Sequence, residues 1–259
     1  MTEPEYIGLF SGGKDSLVVC HKAWKDGIMK EVLYCRTGVG LNEEYVKGIC
    51  EKFGWKLNIV EPRKGETFEE FVEKYSFPHQ GMHNSIMGCL KGHPIRKWHN
   101  EQKKLGRNII FLSGRRKNES YRRMRMKSNK ELAKFDGMMF FSSIFKMKTV
   151  EVWDYLKENN LQRSPTYDTM HLSGDCLCGA FSSKGESDWL SVFHPEMAKR
   201  FLELEKKHGG KWGNQISITD MQNQTKMKDW LQENKIDVKE LARNNVIPDE
   251  MICSECVVE

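Results

Sequence analysis

Three groups of residues in this chain carry side chains fit for chemistry. Ser11-Gly12-Gly13-Lys14-Asp15-Ser16 places two glycines, two hydroxyls, a lysine and a carboxylate in one short stretch. Adjacent glycines permit a tight turn whose backbone N–H groups converge on an anion, and a helix start behind the turn adds unpaired donors and a favourable dipole. Ser11 and Ser16 add hydroxyl donors, and Lys14 adds a positive charge on a long stem. Asp15 suits such a site if it holds a metal ion bridging to phosphate or orients a substrate group. The second group runs from Ser113 to Arg123, where Arg115 and Arg123 offer planar forks that grip two phosphate or sulfate oxygens at fixed charge. The third is a set of cysteines. Cys20, Cys35 and Cys50 fall in stretches that read as helix or strand and are expected to be buried reduced thiols. Cys89, Cys176, Cys178, Cys253 and Cys256 instead form a singlet, a Cys-x-Cys and a Cys-x-x-Cys in Gly-rich or polar surroundings, a pattern that points to metal or redox chemistry. Converging thiolates suit an iron–sulfur cluster or, with the same ligand types, a structural zinc. A Cys253/Cys256 redox dithiol is the third reading.

The elements that must position these groups follow from hydrophobic period and breakers. Residues 6–10 read as a strand leading into the glycine turn, and Lys14–Lys25 as the helix behind it. Strands are expected at 31–35, 57–60, 108–112 and 138–144. Helices are expected from an Asn42 cap to residue 53, and over 67–75, 94–104 and Thr149–Glu158, the last capped by Thr149. Strands alternating with helices of this length predict crossover units and a doubly wound, mostly parallel α/β sheet covered on both faces. Trp153 and Leu156 read as core. After about residue 161 the pattern changes to a cysteine-bearing loop and helices, one from Asp188 or Pro195 to 207 and two more at 220–233 and 238–244. The division expected is 1–162 for the nucleotide-binding domain and 163–259 for a helical C-terminal extension packed on it.

Composition sets outer limits. The chain has 259 residues, 39% hydrophobic and 30% charged, enough for a sizeable core in a soluble protein. Its apolar runs fall far short of the roughly 18 residues a membrane span needs. Met1-Thr2-Glu3-Pro4-Glu5 lacks the basic and apolar regions of a signal peptide, so a cytoplasmic, reduced setting is expected. The net charge is +5, yet residues 115–134 alone carry +7, so the basic excess lies in one segment and an anionic partner is expected there. His79, His83, His93 and His99 follow no recognised ligand spacing, and His21 reads as structural.

The loop at 11–16 has neither the Gly-x-x-x-x-Gly-Lys-[Ser/Thr] spacing of P-loop enzymes nor the Gly-x-Gly-x-x-Gly of dinucleotide folds. It resembles instead the PP-loop of the adenine-nucleotide α-hydrolase-like superfamily. Gly114, Arg115, Glu119, Ser120 and Arg123 match the Gly-x-Arg-x-x-[Glu/Gln]-Ser-x-x-Arg segment of the PAPS reductase family. Thr37-Gly38 falls where that family holds the nucleoside. Cys89 and the Cys176/Cys178 pair resemble regions that supply cluster thiolates in its iron–sulfur branch, related to DNA-phosphorothioation sulfurtransferases. The resemblance implies an adenine nucleotide (PAPS, APS or ATP) and a [4Fe–4S] cluster, with zinc as alternative, on Cys89, Cys176, Cys178, Cys253 and Cys256. It implies catalytic roles for Lys14, Asp15, Arg115, Arg123 and Cys256, although the Gly-Leu-His that follows the family's terminal cysteine is missing after Cys256. Two reactions fit: reduction of a sulfonucleotide with a thioredoxin-like reductant, or adenylation by Mg-ATP of a tRNA or DNA acceptor that then receives sulfur from a donor. A non-catalytic nucleotide- or nucleic-acid-binding protein on the same scaffold is the third, and an oligomer is compatible with each.

Overall fold

A computed structural model of the chain describes residues 3–117, 130–170, 176–182 and 186–213. Its strands are β1 (Glu5–Leu9), β2 (Met29–Cys35), β3 (Lys56–Val60), β4 (Ile109–Leu112), β5 (Leu132–Phe135) and β6 (Met138–Phe141). They form a single sheet in the order β3-β2-β1-β4-β6-β5. Every neighbouring pair is parallel except β5–β6, an antiparallel hairpin at the edge. The chain builds outward from β1 through β2 to β3, then returns to β4 on the other side of β1. That reversal of strand order makes the carboxyl ends of β1 and β4 the crevice where open α/β sheets bind ligands. Registers Leu9↔Leu33 and Gly8↔Leu112 bring the loops after β1, β2 and β4 to one edge.

Helices α1 (Lys14–Lys25), α2 (Glu43–Phe53) and α6 (Thr149–Glu158) cover one face. There Leu17, Val18, Val46, Ile49, Val152 and Leu156 bury against Val32, Tyr34 and Leu112. The opposite face holds Ile7, Leu33, Ile109 and Phe111 under Trp98 of α5 (His93–Lys104). Burial on both faces is why the central strands read as continuous apolar runs. A third cluster joins α3 (Phe68–Tyr75) to the later helices α8 (Glu186–Phe193) and α9 (Pro195–His208), with the Phe68 and Phe201 rings 5.5 Å apart.

Several boundaries differ from the sequence expectation. The strand expected over 138–144 stops at Phe141, because Ser142 turns away to bond the carbonyls of Glu131 and Arg115. β5 overlaps the end of the basic segment, where no strand was expected. α5 is preceded by α4 (His83–Met87) and a π-helical turn at Gly88–Gly92 that carries Cys89. The helix expected from Asp188 or Pro195 is two helices, broken at His194 because the residue before a proline avoids helical geometry. The helix capped in expectation by Thr149 has Lys148 at its N-cap, and Lys148 N donates to Glu151 at 2.5 Å. α7 (Pro165–Met170) follows α6. The segments 220–233 and 238–244 lie outside the described residues.

Candidate active site

The loop after β1 forms as the glycines require. Gly12 has φ +86, a conformation that suits residues without a Cβ, and a Cβ there would stand 2.7 Å from the Cβ of Asn42. Gly13 is the N-cap of α1, and its carbonyl accepts from Leu17 N at 2.9 Å and from Ser16 Oγ at 2.8 Å. Ser11 Oγ and Ser16 Oγ are 3.2 Å apart across the turn. Asn42 stands at the expected N-cap position of α2 but makes no side-chain cap. Fully buried, it donates instead from Nδ2 to the carbonyl of Ser11 at 3.0 Å and accepts from Ser164 Oγ at 2.6 Å. Its amide thus ties the loop after β1 to the segment before α7.

The second element expected to bind an anion meets the first directly. After β4, Gly114 lies against the first turn of α1, so that a Cβ would stand 2.7 Å from both Asp15 C and Ser16 N. Two residues on, Arg116 is 3% exposed and donates from Nε to Asp15 Oδ1 at 2.8 Å and from Nη1 to Thr149 Oγ1 at 3.1 Å. Lys14 Nζ is 3.6 Å from the other Asp15 oxygen. The carboxylate that sequence reasoning assigned to a metal ion or substrate is therefore engaged by a buried guanidinium. Arg115 stays at the rim, with Nε on Ser113 Oγ at 3.1 Å and Nη2 on the Lys130 carbonyl at 3.3 Å. Glu119, Ser120 and Arg123 lie outside the described residues.

A cation–aromatic wall flanks the loop. Lys14 Nζ lies 5.7 Å from the Trp153 ring centroid and 5.8 Å from that of Tyr167. Arg163 Cζ lies 5.4 and 5.0 Å from the same two rings. Trp153, expected in the core, is half-buried here, while Leu156 is buried as expected.

The loop after β2 brings in the thiols. Thr37 is buried and its Oγ1 accepts from Val39 N at 3.3 Å. The Gly38 carbonyl accepts from Arg200 Nη1 of α9 at 2.5 Å. The Val39 carbonyl accepts from Leu177 N at 2.8 Å, which docks the Cys-x-Cys segment beside the expected nucleoside position. A hydrogen bond from the Cys176 thiol holds the Cys178 thiol down at about 7 against the opposing effect of burial, and Lys91 assists. Cys89 packs on the same core but is pushed up by burial and by Glu66. Cys20 and Cys50 are buried with raised thiols, Cys50 to about 12, as structural cysteines should be. Cys35 is half-buried. Among the described residues no three His, Cys, Asp or Glu side chains converge as a metal site would require. The described thiols alone do not fit a cluster or a zinc ion, and Cys253 and Cys256 lie outside the described residues. His93 pairs with Glu66 at 2.9 Å, and the His99 ring lies tilted against Phe111 with centroids 5.8 Å apart.

Asn42, Arg116, Arg163, Ser164 and Tyr167 were missed by sequence reasoning. Only Arg116, inside the Arg115–Arg116 run, stood in a stretch already marked as anion-binding.

The chain is similar to several known proteins. The sequence model of the phosphoadenosine phosphosulfate reductase domain matches residues 5–180. An adenosine 5'-phosphosulfate reductase from Bacillus cytotoxicus is 26% identical over 192 residues, covering 71% of this chain and 79% of its own. The phosphate complex of the phosphoadenylyl-sulfate reductase of Candida auris superposes with a TM-score of 0.47 at 19% identity, over 64% of this chain and 78% of its own. NMN synthetase from Francisella tularensis superposes with a TM-score of 0.44 at 17% identity, over 94% and 88%.

Proposed function

This chain belongs to the phosphoadenosine phosphosulfate reductase domain family, and from that premise we propose that it reduces an adenylyl sulfate, PAPS or APS, to sulfite. The observation that carries the reading is the contact of Gly114 with the backbone of Asp15 and Ser16, which sets two anion-binding elements face to face. The amides of residues 11–14 and the start of α1 hold the phosphosulfate. Lys14 and Arg115, joined by Arg123, neutralise its charge, with Glu119 and Ser120 completing the arginine segment. Thr37 and Gly38 hold the nucleoside.

The chemistry then needs a thiolate. Cys256, next to Glu255 as in the family's terminal motif, attacks the sulfur. The S–O bond breaks, its electron pair leaves on the nucleotide phosphate, and an S-sulfocysteine forms. A thiol of a thioredoxin-like reductant next attacks the cysteine sulfur, and sulfite departs with the S–S bonding pair while a disulfide is left behind. Preorganised donors around the developing phosphate charge supply most of the acceleration.

The setting of Asp15 favours this route over adenylation by ATP. A carboxylate fixed on buried Arg116 is poorly placed to hold Mg²⁺, so the acceptor-adenylating reading with tRNA or DNA has the weaker support. A [4Fe–4S] cluster or zinc enters no step here, because the described thiols do not form its ligand set. An anaerobic visible spectrum tests the cluster independently, by its broad absorption near about 400 nm.

The deciding experiment supplies APS, PAPS or ATP to the full chain with dithiothreitol or thioredoxin and follows sulfite and pyrophosphate. Sulfite from APS or PAPS is expected. Pyrophosphate from ATP without sulfite would overturn the reading in favour of adenylation, and neither product in the reduced protein would favour a binding role.

A further inference from the structure

We infer that Arg163 is a second anion-binding residue of the phosphate loop, taking one charged group of the ligand while Lys14 takes the other. The inference rests on the reading above only in assigning the ligand class, an adenine nucleotide with two linked anionic groups.

The geometry starts from one aromatic pair. The Trp153 and Tyr167 rings meet edge to face with centroids 5.4 Å apart. Two cations stack on that pair. Each lies within cation–π range of both rings, at 5.7 and 5.8 Å for Lys14 and 5.4 and 5.0 Å for Arg163. Both cations thus lie against one aromatic pair beside a loop of N–H donors, Lys14 with Asp15 as its partner and Arg163 with Asp168. An anion reaching this wall meets two side chains that offer charge-assisted N–H donors.

Arg163 is not a surface cation that happens to lie near. Its side chain is 29% exposed and its Nε is held by Asp168 Oδ1 at 2.5 Å. Its chain neighbours anchor it to the loop. Ser164 donates to Asn42, which donates to the carbonyl of Ser11, and the Gln162 carbonyl accepts from Tyr45 at 2.6 Å. Lys14 is more enclosed still, at 11% exposed. A single phosphate offers one anionic group to these cations, whereas a phosphosulfate or pyrophosphate offers one to each. Arg163 therefore favours ligands with two linked anionic groups over a lone one.

The test uses inorganic pyrophosphate and inorganic phosphate as probes, titrated calorimetrically into the full chain. In Arg163→Gln, which keeps an amide able to meet Asp168, pyrophosphate affinity is expected to fall about ten- to a hundredfold while phosphate affinity changes by about twofold or less. Arg163→Lys, which keeps the charge and the stack, is expected to recover most of the loss. No pyrophosphate binding by the parent chain, or an equal change for both probes, overturns the inference. So does unchanged binding in Arg163→Gln. Sulfite release separates this from the functional reading. Turnover of a sulfonucleotide with unchanged KM in Arg163→Gln sinks the inference and leaves that reading standing. Arginine-dependent pyrophosphate selectivity without turnover does the reverse.

Discussion

Replacing Arg116 by methionine should destabilise this protein out of proportion to one side chain. Arg116 is 3% exposed and its Nε lies 2.8 Å from Asp15 Oδ1, so the substitution leaves a carboxylate in a largely water-free place without its main partner. Removing one member of a buried pair costs about 3–5 kcal/mol, because the remaining charge keeps its desolvation penalty. Lys14, 3.6 Å from the second oxygen, compensates in part and places the expected loss near the lower end, about 3 kcal/mol. For a chain of this size that is a fall of about 6–12 °C in melting temperature. Differential scanning calorimetry at pH 7 reads it directly. The double variant Arg116→Met with Asp15→Asn removes the stranded charge and should recover about 2 kcal/mol, a coupling a double-mutant cycle isolates. A single-variant loss below about 1 kcal/mol, or strict additivity in the cycle, would refute the assignment of Asp15 to a structural pair and return it to the role of metal or substrate ligand.

Further outcomes follow from the same geometry. Gly114→Ala puts a methyl group 2.7 Å from the backbone of Asp15 and Ser16, where no side chain can swing aside, so nucleotide affinity should fall by about tenfold or more in equilibrium binding. Iodoacetamide labelling of Cys178, resolved by mass spectrometry, should show a pH midpoint near about 7 that rises in Cys176→Ala, since the Cys176 hydrogen bond is the main cause of the depression; an unmoved midpoint would contradict that cause. Burial, with help from Lys25 and Lys52, holds His21 below its ordinary value, and burial does the same first of all for His99 and His194. The unfolded chain therefore takes up these protons first as pH falls below about 6.5, so melting temperature should decline from there downward. His21→Phe should flatten the slope.

Much of the frame was legible because burial leaves a mark on sequence. The central strands are apolar on both faces, and the helices beside them carry stripes at helical spacing, so β1, β2, β4, α1 and α2 fall close to where the pattern placed them. β5 did not read as a strand because it is an exposed edge: Leu132 and Phe135 are 52% and 68% exposed and charged residues surround them. The π-helical turn at Gly88–Gly92 was hidden by glycines that usually signal a break. At the site, the backbone-binding loop was legible because its chemistry needs glycine. Arg116 was not, since an arginine run does not say which guanidinium turns inward. Asn42 was given its most common task, capping, when a contact far away in sequence had claimed its amide.

That last case carries a physical point about the whole site. A loop that binds anions through backbone N–H groups spends few side chains on the ligand, and its geometry must be imposed from outside. Asn42 fixes the Ser11 carbonyl, Gly114 seats against the first turn of α1, and Arg116 holds Asp15. The loop after β2 is built the same way, but from the later part of the chain. Arg200 of α9 holds the Gly38 carbonyl and also pairs with Glu69 of α3. Trp212 Nε1 donates to the Leu177 carbonyl at 2.8 Å, while Leu177 N bonds Val39. The Cys-x-Cys segment and the loop after β2 are therefore one hydrogen-bonded unit. A displacement of residues 37–39 would therefore reach Leu177, and with it the thiols on either side.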